Sequence, residues 1–495
     1  MRGRAVAATG VVGLDDVLAG GLTKHHLYLV EGMPGSGKTT LALQFLQEGA
    51  RAGEKVLYVT LSETEAELRA VADSHGWDLN GIDIHELTPS EGDLDPDGQN
   101  TMFHPSEVEL AETTKRILRD VDVLKPSRIV FDSLSELRLL AGSALRYRRQ
   151  ILALKQFFVT RECTVMLLDD MTATGHDQQV QSIAHGVLRL EQLHPEYGAE
   201  RRRLRVVKYR GVHCRGGYHD YVIHPGGIEV FPRLIAAEHR TTLQRERLSS
   251  GLPALDQLLG GGLEEGSSTL LIGAAGTGKS TLAAQIASAA AARGERSSIF
   301  AFDESPQTLL ARCDALGVEL RPNVENGLVS LQQVDPAELT PGEFAFNIRE
   351  AVEQRQVKLL VIDSLNGYLN AMPEERFLTI QLHEVLSYLG QLGVATILIG
   401  AQQGLIGSQM TMPFDATYIA DGVVLMRYFE AHGEVRQAIS VVKMRGSRHE
   451  RTIREFRLDQ GRIQVGAALT DFRGILTGVP VYEPPTARAG GADQP

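Results

Sequence analysis

The chain carries the segment Gly32-Met33-Pro34-Gly35-Ser36-Gly37-Lys38-Thr39, and 241 residues later it carries Gly273-Ala274-Ala275-Gly276-Thr277-Gly278-Lys279-Ser280. Both fit the pattern GxxxxGK[ST], and each stands between a short apolar run and an amphipathic stretch, as a loop between a strand and a helix requires. Glycines let such a loop turn its backbone N–H groups onto phosphates, the lysine meets the β- and γ-phosphates, and the hydroxyl holds Mg²⁺. We therefore predict two ATP-binding loops, with nucleotide contacts from Gly35, Ser36, Gly37, Lys38, Thr39 and Thr40 and from Gly276, Thr277, Gly278, Lys279, Ser280 and Thr281.

The two loops belong to a longer internal repeat. The stretch 9–22 reappears at 250–263, and the offset of 241 residues persists as far as Glu63 and Glu304. Each copy is long enough to bury its own hydrophobic core. We predict a tandem duplication with domains at residues 1–243 and 244–478, followed by a disordered tail rich in Pro, Gly and Ala at 479–495.

Short apolar runs alternate with amphipathic stretches along each copy. This alternation predicts an α/β fold with a mostly parallel sheet flanked by helices. The predicted strands are 26–31, 56–61, 128–131 and 164–168 in the first copy and 268–272, 298–302, 359–362 and 395–399 in the second. The predicted helices of the first copy are 40–52, 64–74 and 106–124, and the copies end in β-rich segments at 186–207, 218–231, 422–442 and 452–465.

Carboxylates stand where a metal-bound nucleotide needs them. Asp132 and Asp363 each end an apolar run and are followed by Ser-Leu, which indicates metal-binding carboxylates beside Thr39 and Ser280. An ordinary strand-end Asp that caps a turn is the alternative. Glu63 and Glu304 follow the strand after each loop, where a carboxylate can orient or deprotonate the attacking water. A helix N-terminal acid that favours the helix dipole is the alternative for this pair.

A third paired pattern of cations closes each copy. It comprises Lys208, Arg210 and His213 in the first copy and Lys443, Arg445 and His449 in the second. Such cations could neutralise the acidic face of their own domain. Their duplication favours a second reading, in which they reach a nucleotide on a neighbouring subunit, as arginine fingers do for a developing γ-phosphate charge.

Composition limits the class of protein. The 495 residues are 43% hydrophobic and 23% charged, which excludes a single small domain and a disordered chain. The three cysteines are widely spaced and fit neither a disulfide framework nor a zinc site, so a reducing cytoplasm is the expected location. No apolar stretch approaches the ~18 residues of a membrane span.

Charge argues against a protein that grips nucleic acid through its phosphates. The formal net charge is −12, whereas such proteins carry a basic surface. The string Arg201-Arg202-Arg203 with Arg205 is a basic cluster that a RecA-like ring could use on DNA. Few aromatic residues surround it, so we predict a solvated edge strand here and no nucleic-acid partner.

Together these motifs resemble the KaiC family of RecA-like ATPases over nearly the whole chain. The segment from Gly433 through Lys443-Met444-Arg445-Gly446-Ser447 to His449, continuing to Phe456, carries the resemblance most specifically, with the twice-present Gly-Leu-Asp-x-x-Leu-x-Gly-Gly-Leu-type opening. The resemblance implies two tandem RecA-like P-loop NTPase domains. It also implies a hexamer of two stacked rings with ATP at subunit interfaces, slow hydrolysis in the first ring, and autophosphorylation and dephosphorylation in the second.

Several residues depart from that family's pattern. The first copy has Ser62-Glu63 where the family carries two glutamates, and the second has Asp303-Glu304, in which Asp303 is the expected base toward a phospho-acceptor. The family's Ser-Thr acceptor pair aligns with Thr417-Tyr418, so Thr417 is the expected acceptor. Leu316 aligns with the aromatic residue that stacks near the second-ring adenine.

Three functions compete at this point. The leading hypothesis is a cytoplasmic, hexameric KaiC-like ATPase and protein serine/threonine autokinase that acts with protein partners as a signalling or clock-type switch. A RecA-like DNA recombination or helicase motor is the second hypothesis, against which the net charge counts. The third is an ATP-assembled regulatory scaffold with little turnover, which the replacement at Ser62 favours for the first ring.

Overall fold

The structure, a computed structural model, describes residues 4–87, 105–171, 178–239, 246–370, 378–402, 418–446, 448–459, 461–477 and 480–482. The chain forms two compact units, Met1–Arg233 and Leu234–Pro495. This boundary precedes the one predicted after residue 243. The predicted disordered tail begins too early, because Val481–Tyr482 pair as a strand with Phe472–Arg473; residues 483–495 lie outside the described residues.

The first unit alternates strands and helices and then ends in antiparallel strands. Its strands are β1 (Val6–Ala7), β2 (Leu22–Thr23), β3 (Leu27–Gly32), β4 (Val56–Thr60), β5 (Ile82–Glu86), β6 (Arg128–Asp132), β7 (Thr164–Asp169), β8 (Gly186–Leu193), β9 (Arg201–Tyr209), β10 (Tyr218–His224) and β11 (Gly227–Phe231). Its helices are α1 (Leu14–Val17), α2 (Lys38–Arg51), α3 (Glu65–Ser74), α4 (Pro105–Leu124), α5 (Leu134–Ala141), α6 (Ala144–Thr160) and α7 (Gln178–Ile183).

The second unit repeats this order. Its strands are β12 (Arg247–Leu248), β13 (Leu263–Glu264), β14 (Ser268–Gly273), β15 (Ser297–Ala301), β16 (Val329–Gln333), β17 (Leu359–Asp363), β18 (Ala395–Ala401), β19 (Gly422–Ala431), β20 (Glu434–Met444), β21 (Ile453–Asp459), β22 (Arg462–Ala468), β23 (Phe472–Arg473) and β24 (Val481–Tyr482). Its helices are α8 (Pro253–Leu258), α9 (Lys279–Ala292), α10 (Pro306–Ala315), α11 (Leu320–Glu325), α12 (Pro341–Glu353), α13 (Leu365–Asn370) and α14 (Leu378–Gln391), with short 3-10 helices at Ala236–His239 and Ile475–Thr477.

Each unit is built on one nine-stranded sheet of the same topology. The order is β11-β10-β9-β8-β3-β7-β6-β4-β5 in the first unit and β16-β15-β17-β18-β14-β19-β20-β21-β22 in the second. The strands from β8 to β5 and from β16 to β19 run parallel, and the remaining three of each sheet add in antiparallel fashion. The predicted fold class is confirmed, and every predicted strand and helix is present with its ends shifted by at most two residues.

The central strand of each sheet is buried on both faces, which explains its continuous apolar sequence. In β3, Tyr28 and Val30 pack into the core cluster that contains α2 residues such as Phe45. Leu27 and Leu29 point to the opposite face, into the cluster formed with α5 and α6. The phosphate loop that follows β3 is therefore held from two sides by packed helices.

The Leu-Asp pair that opens both copies, Leu14-Asp15 and Leu255-Asp256, has a structural role. The Asp15 carboxylate accepts hydrogen bonds from the Thr9 backbone N–H at 3.0 Å and from the Thr9 hydroxyl at 2.8 Å. Asp256 accepts the same pair from Ser250, at 2.8 and 2.6 Å. Both acids thus close the turn before the first helix of their unit, so this part of the family signature stabilises the fold and does not form the nucleotide site.

The arginine string does not lie on an edge strand, and that prediction is wrong. It begins β9, which lies between β8 and β10 in the sheet. Arg202 pairs with Glu200, Arg203 pairs with Glu191 at 2.9 Å, and the Arg203 guanidinium stacks 4.1 Å from the Tyr218 ring centre. These acids and this ring lie on neighbouring parts of the meander, where local sequence patterns do not reveal them.

No helix among the described residues is both long and apolar enough to cross a membrane. Cys163, Cys214 and Cys313 are all free thiols, as their spacing predicts.

The stability of the first unit should fall in mild acid because of His219 on β10. This side chain is buried, its Nε2 lies 3.0 Å from the Arg215 carbonyl oxygen, and its Nδ1 accepts from the Arg233 backbone N–H at 2.9 Å. Burial lowers the pKa of His219 to about 4. The folded state therefore holds the ring neutral while the unfolded state protonates near 6.5, so its contribution is complete above pH 6.5 and is lost as pH falls toward 4. We expect a loss of about 3 kcal/mol over that range.

Denaturant unfolding followed by the fluorescence of Trp77, the single tryptophan of the chain, reports on this unit. In the matched variant His219→Asn, the side-chain oxygen keeps an acceptor for Arg233 and cannot titrate. The pH slope of wild type should exceed that of His219→Asn. Equal slopes would contradict the assignment.

Candidate nucleotide-binding and catalytic sites

The first phosphate loop connects β3 to α2 through glycines in the left-handed region. Gly35 has a φ of 83° and Gly37 a φ of 87°. A Cβ atom at Gly37 would lie 2.6 Å from the Ile223 side chain, so both conformation and space require glycine here. The buried Lys38 ammonium donates to the Gly32 carbonyl oxygen at 2.8 Å. The loop thus has the backbone turn and the cation that a phosphate group needs.

The second loop has the same geometry. Gly276 and Gly278 have φ values of 79° and 92°, and a Cβ atom at Gly278 would lie 2.8 Å from the Leu458 side chain. Lys279 is buried and donates to the carbonyl oxygens of Gly273 at 2.9 Å and Ala274 at 2.7 Å. Burial lowers the pKa of Lys279 to about 8. Anionic phosphate beside this ammonium would favour its charged form.

A carboxylate and a hydroxyl meet beside each loop. In the first unit the Thr39 hydroxyl donates to Asp132 Oδ2 at 3.3 Å, and the Tyr58 hydroxyl donates to the same oxygen at 2.6 Å. Burial raises the pKa of Asp132. In the second unit Asp363 accepts from the Ser280 hydroxyl, and burial raises its pKa to about 6. Oxygen donors of these two kinds fit a hard divalent cation such as Mg²⁺.

The two paired glutamates have different surroundings. Among the described residues, Glu63 Oε2 is buried and has no hydrogen-bond partner, and burial followed by the charge of Asp132 raises the pKa of Glu63 to about 7. Glu304 instead receives two hydrogen bonds from the Arg312 guanidinium, at 2.9 and 2.5 Å. Next to it, Asp303 Oδ2 accepts a hydrogen bond from the Ser364 hydroxyl, just after β17. Glu63 directly precedes Thr64, which caps α3 together with Glu67, so Glu63 is not itself the capping residue of that helix.

The cations of the first unit lie at the end of the sheet away from their own loop. Lys208 pairs with Val187 near the start of β8, whereas Leu190, roughly 10 Å further along that strand, pairs with Gly32 at the loop. The Lys208 ammonium donates to the carbonyl oxygens of residues 181, 182 and 184, before β8. Arg210 also donates to residue 182, at 2.7 Å.

The second unit repeats this placement. Lys443 donates to the Ala420 carbonyl at 2.8 Å and Arg445 to the Tyr418 carbonyl at 3.0 Å, both just before β19. In each unit the strand register shifts at a β-bulge directly after the residue that pairs with the lysine, between Val187 and Leu188 and between Val423 and Val424. A bulge re-aims the side chains beside it. The cations therefore do not neutralise the acids around their own loop.

Comparisons with known proteins agree with this geometry. The family model described as "ATPase: KaiC" matches residues 7–235 and again residues 248–470. The chain belongs to the KaiC ATPase family. It is 28% identical over 484 residues to the circadian clock protein KaiC3 of Synechocystis sp., covering 96% of this chain and 94% of that protein. It is 29% identical over 478 residues to a circadian clock oscillator protein KaiC of Prochlorococcus marinus, covering 95% and 94%.

Membership of the KaiC family makes the chain an ATP-binding ATPase with two P-loop domains. The two loops with their buried lysines have the backbone turn and the cation expected of the family's ATP-binding loops.

The histidine pairing in the third motif requires a correction. Arg215 N–H donates to the Val17 carbonyl, and in the second unit Glu450 N–H donates to the Leu258 carbonyl, the repeat counterpart of Val17. Arg215 therefore matches Glu450, and the residue before it, Cys214, matches His449. His213 stands one residue too early to be the counterpart of His449.

Leu316 and Thr417 are the two remaining predicted site residues of the second unit. Leu316 ends α10 and packs partly buried against the core of the second unit. Its repeat counterpart, His75, has its ring centre 4.6 Å from that of Trp77. Thr417 lies outside the described residues, whereas the adjacent Tyr418 is described and exposed.

Sequence reasoning missed Asp170 at the first site of this KaiC-family chain. Its Oδ1 lies 2.9 Å from the Lys38 ammonium. The signal was present, since Asp169 and Asp170 follow directly after a predicted strand that neighbours β3. In the second unit Ala401 pairs with Gly273 in the equivalent register and supplies no charge.

Removing the Asp170 carboxylate should tighten ATP binding at the first site. The Asp170 carboxylate pairs with the Lys38 ammonium, which must face the phosphates, and its negative charge also repels them. We therefore expect Asp170→Ala to make the binding free energy more favourable by about 1 kcal/mol, which lowers the Kd roughly fivefold. The change copies the residue of the second site. Binding would be titrated in a Lys279→Ala background that leaves the first site alone. Asp122→Asn removes a remote carboxylate paired with Arg161 and serves as control. Weaker binding in Asp170→Ala would show that Asp170 helps to hold the nucleotide.

Proposed function

We propose that this ATPase is also a protein serine/threonine autokinase, assembled as a hexamer with ATP and Mg²⁺ at subunit interfaces. The observation that carries the proposal is the placement of Lys208 with Arg210 and of Lys443 with Arg445 at the sheet end away from their own loops. Cations so placed are available to a nucleotide held by another copy of the chain. The names of the relatives, circadian clock proteins, support a clock-type or signalling switch that works with protein partners.

In the first site, Glu63 is the group that takes a proton from water. One of its oxygens is buried without a partner among the described residues, and its pKa of about 7 suits proton transfer near neutrality. Lys38 faces the phosphates, while Thr39 and Asp132 would hold Mg²⁺. Bound Mg²⁺ would neutralise charge on the β- and γ-phosphates.

In the second site, Asp303 takes the proton of the acceptor hydroxyl, for which Thr417 is our candidate. The hydroxyl oxygen bonds to the γ-phosphorus as the bond to the β,γ-bridging oxygen breaks, and ADP leaves with that electron pair. Lys279 faces the phosphates, and Ser280 with Asp363 would hold the metal. Phosphate on the acceptor adds about −1.5 to −2 charges, which can reset contacts to cations such as Arg445.

A DNA motor remains the weaker candidate. The net charge is −12, and within the arginine string Arg202 and Arg203 already pair with acids of the meander. DNA-stimulated ATP hydrolysis would favour that candidate. A nucleotide-assembled scaffold would instead form oligomers with ATP and release no phosphate.

Phosphopeptide mapping after incubation with γ-labelled ATP tests the autokinase. We expect label on the peptide that contains Thr417 in wild type and in the control Tyr418→Phe. The label should be lost in Thr417→Ala and reduced in Asp303→Asn. Label that persists in Thr417→Ala would move the acceptor to another residue, and a chain without any label would refute the autokinase.

A further inference from the structure

An arginine clamps one of the two acids of the second site. Glu304 follows the end of β15, and Arg312 stands on α10, which follows it. Arg312 Nη1 donates to Glu304 Oε2 at 2.9 Å, and Nη2 donates to Oε1 at 2.5 Å. Both carboxylate oxygens are thus engaged by one planar cation, and the Glu304 side chain is only 19% exposed. Bidentate pairs of this kind are among the stronger hydrogen-bonded contacts in proteins.

The first site lacks the clamp. The repeat offset that matches Glu304 with Glu63 matches Arg312 with Val71, on the equivalent helix α3. Val71 is partly buried and packs against the core of the first unit. Among the described residues, Glu63 Oε2 therefore has no donor at all. Its neighbours Asp132, Glu67 and Asp170 are acids, and with burial they raise the pKa of Glu63.

We propose that Arg312 withholds Glu304 from water activation, so that the second site transfers its phosphoryl group to a protein hydroxyl, whereas Val71 leaves Glu63 free to promote hydrolysis in the first. This inference rests on the proposed function and adds the residue that determines which reaction each site performs. Arg312 acts through Glu304 and is a positioning residue, not a catalytic one.

Hydrolysis depends on a carboxylate oxygen that can accept the proton of the attacking water. In hydrolysis the water oxygen bonds to the γ-phosphorus, the water proton passes to the carboxylate, and ADP leaves with the electrons of the broken β,γ-bridging bond. A carboxylate whose two oxygens both accept hydrogen bonds from one guanidinium can take the water proton only by breaking one of those hydrogen bonds. Glu63 can accept the proton through Oε2 without losing a hydrogen bond to an arginine.

Because Arg312 holds Glu304, the carboxylate that can act as a base in the second site is Asp303. Asp303 is exposed and accepts a hydrogen bond from Ser364 through one oxygen, Oδ2. Its repeat counterpart in the first unit is Ser62, which cannot act as a base of this kind. The two sites thus differ reciprocally at this pair of positions: the first has Ser62 and a glutamate without a guanidinium, and the second has Asp303 and a glutamate clamped by Arg312.

The decisive variant is Arg312→Val, which installs the residue of the first site. It would be compared within a Glu63→Gln background of the full chain, with phosphate release and protein-bound label measured together. General-base contributions are about 10²- to 10⁴-fold, so we expect phosphate release to rise at least tenfold. Adding Glu304→Gln should abolish the gain. Arg321→Val breaks the exposed pair with Asp314 on neighbouring helices and should change neither product.

The reciprocal variant works from the other unit and does not depend on the folding of Arg312→Val. Val71→Arg in the otherwise unaltered chain should lower phosphate release at least tenfold by supplying Glu63 with a guanidinium. Phosphate release that Arg312→Val leaves unchanged, or a gain that survives Glu304→Gln, would overturn the inference. Failure of the proposed function looks different, because wild type would then carry no label on any hydroxyl.

Discussion

Lys279→Ala is expected to weaken ATP binding at the second site by roughly one and a half to three and a half orders of magnitude, and Lys38→Ala to do the same at the first, each leaving the other site intact. Each ammonium is about 6 to 7% exposed and lies at the turn of its loop, so it faces the phosphates without competition from bulk water. Truncating one partner of a buried, hydrogen-bonded charge pair costs about 2–5 kcal/mol. Affinity at the altered site should therefore fall roughly 30- to 4,000-fold.

Counting bound nucleotides by calorimetry separates the outcomes. Wild type should bind two ATP per chain, each single variant one, and the double variant none. Lys24→Ala, which breaks a half-exposed ion pair with Glu54, is the control and should bind two. Light scattering on the same samples tests assembly. A double variant that still binds two nucleotides would contradict the site assignment. A double variant that keeps the size of the ATP-bound wild type would contradict the proposal that ATP lies at subunit interfaces.

Arg445→Ala should lose phosphoryl transfer while it keeps most of its ATP affinity. The guanidinium is 56% exposed and lies beside Tyr418 and Asp421, at the sheet end away from its own loop. A cation that reaches the neighbouring nucleotide matters more to the transition state than to ground-state binding. Cations of this kind contribute about 10³- to 10⁵-fold to turnover.

Mixed hexamers show whether Arg445 acts across the interface. An Arg445→Ala subunit still holds ATP, and a Lys279→Ala subunit still offers its arginine, so their mixture should recover activity that neither variant has alone. Arg293→Ala, which removes an exposed pair with Glu295, should behave as wild type. A mixture no more active than its components would place the action of Arg445 within its own subunit.

The loops and their carboxylates were predictable because each depends on a few adjacent residues. Strand, loop and helix follow directly in the chain around Lys38, and a carboxylate at the end of an apolar run falls at the same sheet edge as the loop. Each pattern occurs in both copies of the repeat, so the prediction for Asp132 strengthened the prediction for Asp363. The fold class followed for the same reason.

Contacts between distant segments were not predictable. Whether β9 lies at an edge depends on how the last three strands add to the sheet, and the arginine pattern alone does not determine that. Asp170 reaches Lys38 only because β7 neighbours β3. The sequence shows that the first copy has Val71 where the second has Arg312. That Arg312 pairs with Glu304 could be seen only from the position of α10 in the structure.

The histidine mismatch arose because His213 and His449, which are 236 residues apart, were matched by residue type within a motif whose offset is 235. The two copies remain in step at 241 residues through Glu63 and Glu304, but Lys208 and Lys443 are 235 residues apart. A one-residue difference within the third motif is invisible when histidines are matched by type. Backbone hydrogen bonds at Arg215 and Glu450 decide the register and put Cys214 in the place of His449.

The central claim is that one chain carries two ATP sites that perform different reactions. Incubating the full chain with γ-labelled ATP and measuring released phosphate and protein-bound label in wild type, Glu63→Gln and Asp303→Asn tests it most directly. We predict that Glu63→Gln loses most phosphate release and keeps its label, whereas Asp303→Asn loses its label and keeps most phosphate release. If the two variants lower phosphate release and protein-bound label in the same proportion, the two sites do not perform different reactions and the central claim is contradicted.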